Sequence, residues 1–154
     1  MIEVLSDREI EEMLAAHSVG RLGCHADGRT CVVPIAYAYS DGAIYGHSSE
    51  GLKMRMMRKN PQVCFEVDEV DNVLEWRSVV AWGTFEELHG VQRDEAMRTL
   101  LIQFLPAKAT ATTRYLESSR AGVKDDRAVI YRVRLYEKTG RCERSAGRLV
   151  RVWE

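Results

Sequence analysis

Two Asp-Gly dipeptides, Asp27-Gly28 and Asp41-Gly42, constrain the fold of this chain more than any other feature. Asp-Gly between apolar runs signals a tight hairpin, because both central positions of the favoured turn need positive φ. Strand-like residues flank both: Val19 to His25 before the first, Thr30 to Tyr39 between them, and Ala43-Ile44-Tyr45-Gly46 after the second. Two such turns within about fifteen residues require an antiparallel arrangement, since a parallel pair needs a crossover of a dozen residues or more.

The middle run, Cys31 to Tyr39, is apolar on both faces and is expected to be buried on both. Pro34 within it has no N–H to donate, which demands an edge, a bulge or an interruption. A ligand beside that backbone would fit, as would an ordinary bulge. Gln62 to Val70 and Val73 to His89 follow as β-branched and aromatic strands, the second with a bend or bulge at Gly83. Arg127 to Tyr136 alternates and predicts a sixth strand with one wet face, closed by Gly140. Six strands in meander order, with no β-α-β alternation, imply a mainly β antiparallel barrel with short peripheral helices.

The helices carry their own signals. Ser6 and Glu9 form a capping box, Leu5 and Ile10 a hydrophobic staple, and Ile10, Met13, Leu14 and His17 one face. Gln92 to Phe104 returns to helical spacing and stops before Pro106. Ala107 to Asp126 is small and polar, with a short helix expected at Thr113 to Ser119; the basic tail from Arg141 to Glu154 is expected to pair as an edge or lie across a partner.

The chemistry concentrates where Gly51-Leu52-Lys53 opens a helix of about two turns that Asn60-Pro61 stops. A cation in a first helical turn faces the positive end of the macrodipole, so Lys53 is unfavourable there unless an anion sits beside it. Exposed helix-start amides, the hydroxyls of Ser48 and Ser49 and a lysine ammonium together compose a phosphate seat. A capped surface helix with a solvated lysine explains the same residues.

Composition narrows the rest. A chain of 154 residues suits one domain, residues 1–154. With 22 basic and 23 acidic residues and a net charge of −1, it shows no footprint for nucleic acid or an anionic membrane. No apolar run approaches the roughly 20 residues of a bilayer span, and the start lacks a secretory signal, so a cytoplasmic protein is expected. Cys24, Cys31, Cys64 and Cys142 show no C-x-x-C pairing, which argues against zinc or dithiol chemistry and for reduced thiols.

In order, Gly20-Arg21-Leu22-Gly23, Val33-Pro34-Ile35-Ala36-Tyr37, Asp41 to Ser48, Gly51-x-Lys53, Asn60-Pro61-x-Val63 to Val67 and Trp76-Arg77-Ser78-Val79-Val80-x-x-Gly83 resemble the pyridoxamine 5′-phosphate oxidase-like split-barrel flavoproteins, most of all their nitroimidazole-resistance branch. The resemblance spans about residues 5 to 105, and Arg127 to Gly140 resembles the closing strand. It implies a six-stranded antiparallel split β-barrel forming a homodimer, with FMN in two clefts at the subunit interface. Lys53 and Ser48 would hold the phosphate, with Arg21 a further partner, and the backbone of Val33, Pro34, Ile35, Ala36 and Tyr37 would border the isoalloxazine. His47 would lie near the ring as a packing residue or a proton donor, while Trp76, Arg77 and Ser78 would reach the flavin from the other subunit. No metal is implied.

The implied activity is electron transfer from a reduced nicotinamide to a small organic acceptor, a nitroaromatic among the candidates. The tail lacks the arginine-and-histidine pattern of true pyridoxamine-phosphate oxidases, which argues against vitamin B6 oxidation. A non-catalytic flavin store and a haem-binding relative are the competing classes.

Overall fold

The computed structural model describes residues 1–104 and 128–144. In chain order these form β1 (Ile2–Val4), α1 (Asp7–Ala16), β2 (Val19–Ala26), β3 (Arg29–Ala36), β4 (Ala38–Ser40), β5 (Ala43–Ser48), α2 (Leu52–Lys59), β6 (Gln62–Asn72), β7 (Glu75–Glu87), α3 (Gly90–Phe104) and β8 (Val129–Glu143). The short helix expected at Thr113 to Ser119 and the tail beyond residue 144 lie outside the described residues.

Both Asp-Gly turns form as the dipeptides require. Asp27 and Gly28 have φ of 52° and 73°, Asp41 and Gly42 of 49° and 72°, the double positive φ of a type I′ turn. The first joins β2 to β3 and the second joins β4 to β5, both antiparallel. The strands make one sheet in the order β3-β2-β6-β7-β8-β5-β4, with β1 beside β8.

Among the described residues there are therefore eight strands, where six were expected. The run Thr30 to Tyr39 is not one strand: it divides at Tyr37 into β3 and β4, which lie at opposite ends of the sheet. Gly140 does not close the last strand either, since β8 continues to Glu143 and its extension recruits β1. The division dictates the shape. Ala36 and Ala38 end the two edge strands yet lie two residues apart, within about 7 Å of each other, so the sheet must curl round upon itself. No ladder joins β3 to β4, and the barrel stays split.

The prediction that Cys31 to Tyr39 is buried on both faces fails for β3. Val32 and Pro34 are exposed, because β3 is an edge strand with β2 as its sheet neighbour. The edge that Pro34 demanded is present. Gly83 also behaves as expected, the β7–β8 register shifting between Trp82 and Gly83.

Inside the barrel, Leu22, Phe65, Val67, Val79, Tyr131 and Val133 meet Met54 and Met57 of α2 and Met13 and Leu14 of α1. The capping box forms, with Ser6 accepting from the Glu9 N–H and the Glu9 carboxylate accepting from the Ser6 N–H. A second cluster joins Ala96, Met97, Leu100 and Phe104 of α3 to Ala38 and Ile130. That packing buries Ile130 of the β8 face that alternation marks as wet, while Arg134 and Tyr136 on the same face stay exposed as expected. No helix among the described residues is long and apolar enough to cross a membrane.

Candidate functional site

Lys53 is the second residue of α2, whose buried Met54, Met56 and Met57 hold it against the barrel. Gly51 caps the helix with extended backbone and no side-chain hydrogen bond, so the first-turn amides have no side-chain acceptor from the cap. The nearest acidic residue in sequence is committed elsewhere: Glu50 takes Arg58 Nη1 and Nη2 at 2.7 and 2.6 Å, and the same guanidinium binds Glu87 at 2.8 Å. This staple pins the approach to Gly51 onto the far end of α2.

Lys53 is half-buried, and burial pushes its pKa below the usual lysine range. The groups that act back on its charge are the thiols of Cys24 and Cys31, and no ion pair to it forms among the described residues. His47, near the end of β5, feels burial first and Lys53 second, and both push its imidazole below the ordinary value. At neutral pH the ring is therefore uncharged, a hydrogen-bonding group rather than a cationic acid. Ser48 Oγ donates to the Ser49 carbonyl oxygen at 2.9 Å.

The β3 edge lies on the neighbouring hairpin. Tyr37 N–H donates to Ser18 O at 2.9 Å, and the unbroken β2–β3 register carries that alternation along the strand. Ile35 and Val33 then bond inward to β2, while Val32, Pro34 and Ala36 turn their backbone polar groups to the open edge. Pro34 thus occupies a position whose missing N–H breaks no ladder bond. The side chains of Ile35 and Tyr37 are core, so they can border a ligand through their backbone alone.

The remaining predicted residues lie elsewhere in the chain. Arg21 ion-pairs with Asp68 at 2.7 Å and Glu66 at 3.6 Å, on the face of β2 opposite Leu22 and Cys24. Arg77 grips the Glu69 carboxylate in a bidentate pair, which His17 joins at 2.7 Å. Trp76 and Arg77 line a cavity of about 220 Å³ together with Glu69, Asp71, Glu143 and Arg144. Cys24 aligns through Val63 with Gly83, and Trp76 lies seven residues back along β7, roughly 23 Å away at strand rise. One protomer does not unite Trp76, Arg77 and Ser78 with Lys53.

Sequence reasoning missed one grouping. Cys24 and Cys31 are register partners across β2 and β3, and both side chains pack on the core face. They lie seven residues apart in the chain, and only the hairpin register brings them together. A groove of about 500 Å³ runs over the outer face of β2, β6 and β7 past Arg21, Val32, Cys64, Val80, Trp82 and Tyr136.

Residues 6–142 match the pyridoxamine 5′-phosphate oxidase family. The chain belongs to that family. An uncharacterised protein of Rhizobium meliloti (strain 1021) is 36% identical over 91 residues, which is 59% of this chain and 60% of that relative. The structure of a protein from Mesorhizobium loti described as FAD-binding superposes with a TM-score of 0.72 at 34% identity, covering 94% of this chain and 99% of that one. A candidate 5-nitroimidazole antibiotic resistance protein of Bacteroides thetaiotaomicron has a TM-score of 0.71 at 18% identity, covering 92% and 87%. The latter likeness is one of fold. The pyridoxamine 5′-phosphate oxidase family likeness takes in β2 to β8, and hence both Lys53 and the β3 edge.

Proposed function

We propose that this chain is an FMN-binding oxidoreductase, moving electrons from a reduced nicotinamide to a small organic acceptor, with nitroaromatics as the first class to try. The observation that carries the reading is Lys53. A half-buried ammonium at an uncapped helix start, with no ion pair among the described residues, is destabilising alone and fits a phosphate monoester.

In this reading Lys53, the first amides of α2 and a rotated Ser48 hydroxyl hold the phosphate. The open edge of β3 offers the Val32 and Ala36 amides and the carbonyl groups of Val32, Pro34 and Ala36 to the ring system. His47, held neutral by burial and Lys53, would serve the ring system as a hydrogen-bonding group. When bound, the flavin supplies the hydride and electron chemistry, while the chain positions it. Arg21 is left out of the phosphate seat, since Asp68 and Glu66 already neutralise it.

The reading also calls for a homodimer. Trp76, Arg77 and Ser78 can approach the Lys53 region only from a second copy, and the exposed β3 edge with Val32 supplies a surface for it. The FAD-binding description of the Mesorhizobium relative favours a flavin and leaves the choice of nucleotide to experiment.

The test is spectroscopic. Purified protein should carry flavin absorbance or bind added FMN more tightly than FAD, and NADPH should bleach it. Failure to bind either flavin, or a Soret band on haem addition in place of flavin binding, overturns the proposal.

A further inference from the structure

Cys24 and Cys31 face each other directly across the β2–β3 hairpin, with Cys24 paired to Cys31 in register. Directly opposed residues share one face of a sheet and have Cα atoms about 4.5 to 5.5 Å apart. That spacing falls within the roughly 4.4 to 6.8 Å that a disulfide spans. Both side chains lie on the core side of the hairpin, Cys24 within the barrel core and Cys31 packed against it. We propose that Cys24 and Cys31 form a reversible dithiol–disulfide site, oxidised by exchange with a low-molecular-weight disulfide.

The two sulfurs differ in access, and that difference sets their roles. Cys24 is 3% exposed, whereas Cys31 is partly exposed at the rim of the core. Cys31 is the entry thiol. Its thiolate attacks one sulfur of the small disulfide, that S–S bond breaks, and the first small thiol leaves with a proton from water. Cys24 then gives up its proton, attacks the Cys31 sulfur and expels the second small thiol. The protein loses two electrons and two protons, and the small disulfide gains both.

The other two thiols are not placed to compete. Cys64 is the register partner of Gly23, so it projects to the face opposite Cys24. Cys142 pairs with Arg77 at the far end of β7. The Asp27-Gly28 turn has already brought the two hairpin cysteines together, so closing the ring asks for side-chain rotation and little backbone movement.

The experiment treats the reduced, full-length protein with glutathione disulfide, quenches by alkylation in denaturant, and maps tryptic peptides. Cleavage at Arg21, Arg29 and Lys53 separates Cys24 on peptide 22–29 from Cys31 on peptide 30–53. The expected result is a fall from four alkylated thiols to two, with these peptides linked at a mass two hydrogens below their sum. Dithiothreitol should restore both thiols. In Cys24→Ala, a stable glutathione adduct should persist on Cys31, and Cys64→Ser should behave as the parent. Four alkylatable thiols after treatment, a link through Cys64 or Cys142, or an unresolved adduct on parental Cys31 would each overturn the proposal. None of these readouts involves flavin, so the outcome is independent of the cofactor assignment.

Discussion

The Tyr37 hydroxyl donates to the Leu14 carbonyl oxygen at 2.7 Å in the buried core. This bond ties the point where the chain leaves β3 to the last turn of α1, and so sets the position of the edge strand. Burial pushes the phenol pKa well above its ordinary value, so the hydroxyl stays a donor at any working pH. Tyr37→Phe leaves a buried acceptor without its partner and should lower stability by about 1 to 2 kcal/mol. Urea unfolding checks this: the midpoint should fall with the m-value unchanged.

His47 makes stability pH-dependent in a defined window. Burial and Lys53 both depress its pKa below 6.5, so the unfolded chain binds a proton more readily than the folded one. The stabilisation is complete above about pH 6.5 and is lost as pH falls through the folded-state value. The depressed carboxylates act lower: Glu9, held at about 2 by Ser6 and then Arg144, contributes above its unfolded value of 4.5 and loses this as pH falls below it. The urea midpoint should therefore decline between about pH 7 and pH 5, and His47→Gln should flatten that decline. An identical slope in the variant would remove His47 as the cause.

How much of this was legible beforehand depended on whether the signal was local. Asp27-Gly28, Asp41-Gly42, the Ser6–Glu9 box and the Gly83 bulge are dictated by neighbours in sequence, and all formed where the residues implied. The break at Tyr37 was not legible. Apolar residues continue through it, and only the Tyr37–Ser18 bond and the curl of the sheet decide that β4 belongs to the opposite edge. The Cys24–Cys31 pairing belongs with the local signals, since a two-residue turn at Asp27-Gly28 sets the register that opposes them, and counting outward from that turn would have found it. Lys53 could be singled out by its conflict with the helix dipole, yet its thiol neighbours could not.

Gly20 is required by packing rather than by backbone conformation. A Cβ there would lie 2.3 Å from Phe65 Cζ and 2.7 Å from the Glu66 carbonyl oxygen. The ring could move only at the expense of the core, and the carbonyl belongs to the β2–β6 ladder. Gly20→Ala should cost about 1 to 3 kcal/mol, the range for overpacking, whereas Gly23→Ala, whose nearest atom would be 3.6 Å away, should cost less. Thermal unfolding of the two variants side by side tests the contrast, and equal losses would contradict it.

Lys53 is expected to move stability and binding in opposite directions. Without ligand its ammonium is half-buried at the positive end of α2, and burial outweighs what the two thiols return. Lys53→Met keeps the apolar stem and removes the charge, so the ligand-free variant should melt above the parent, each 1 kcal/mol raising Tm by roughly 2 to 4 °C. FMN affinity should fall at the same time by about 1.5 to 3 kcal/mol, the range for a charge-assisted hydrogen bond, or roughly 10- to 150-fold in Kd. Melting of the flavin-free protein and a titration following quenching of flavin fluorescence read the two effects separately. A higher Tm with unchanged Kd would make Lys53 a misplaced surface cation and end its assignment to the phosphate. A lower Tm with weaker binding would mean that a favourable interaction already holds the ammonium in the ligand-free protein. Only the pairing of greater stability with weaker FMN binding fits a cation kept at this helix start for an anion that arrives with the ligand.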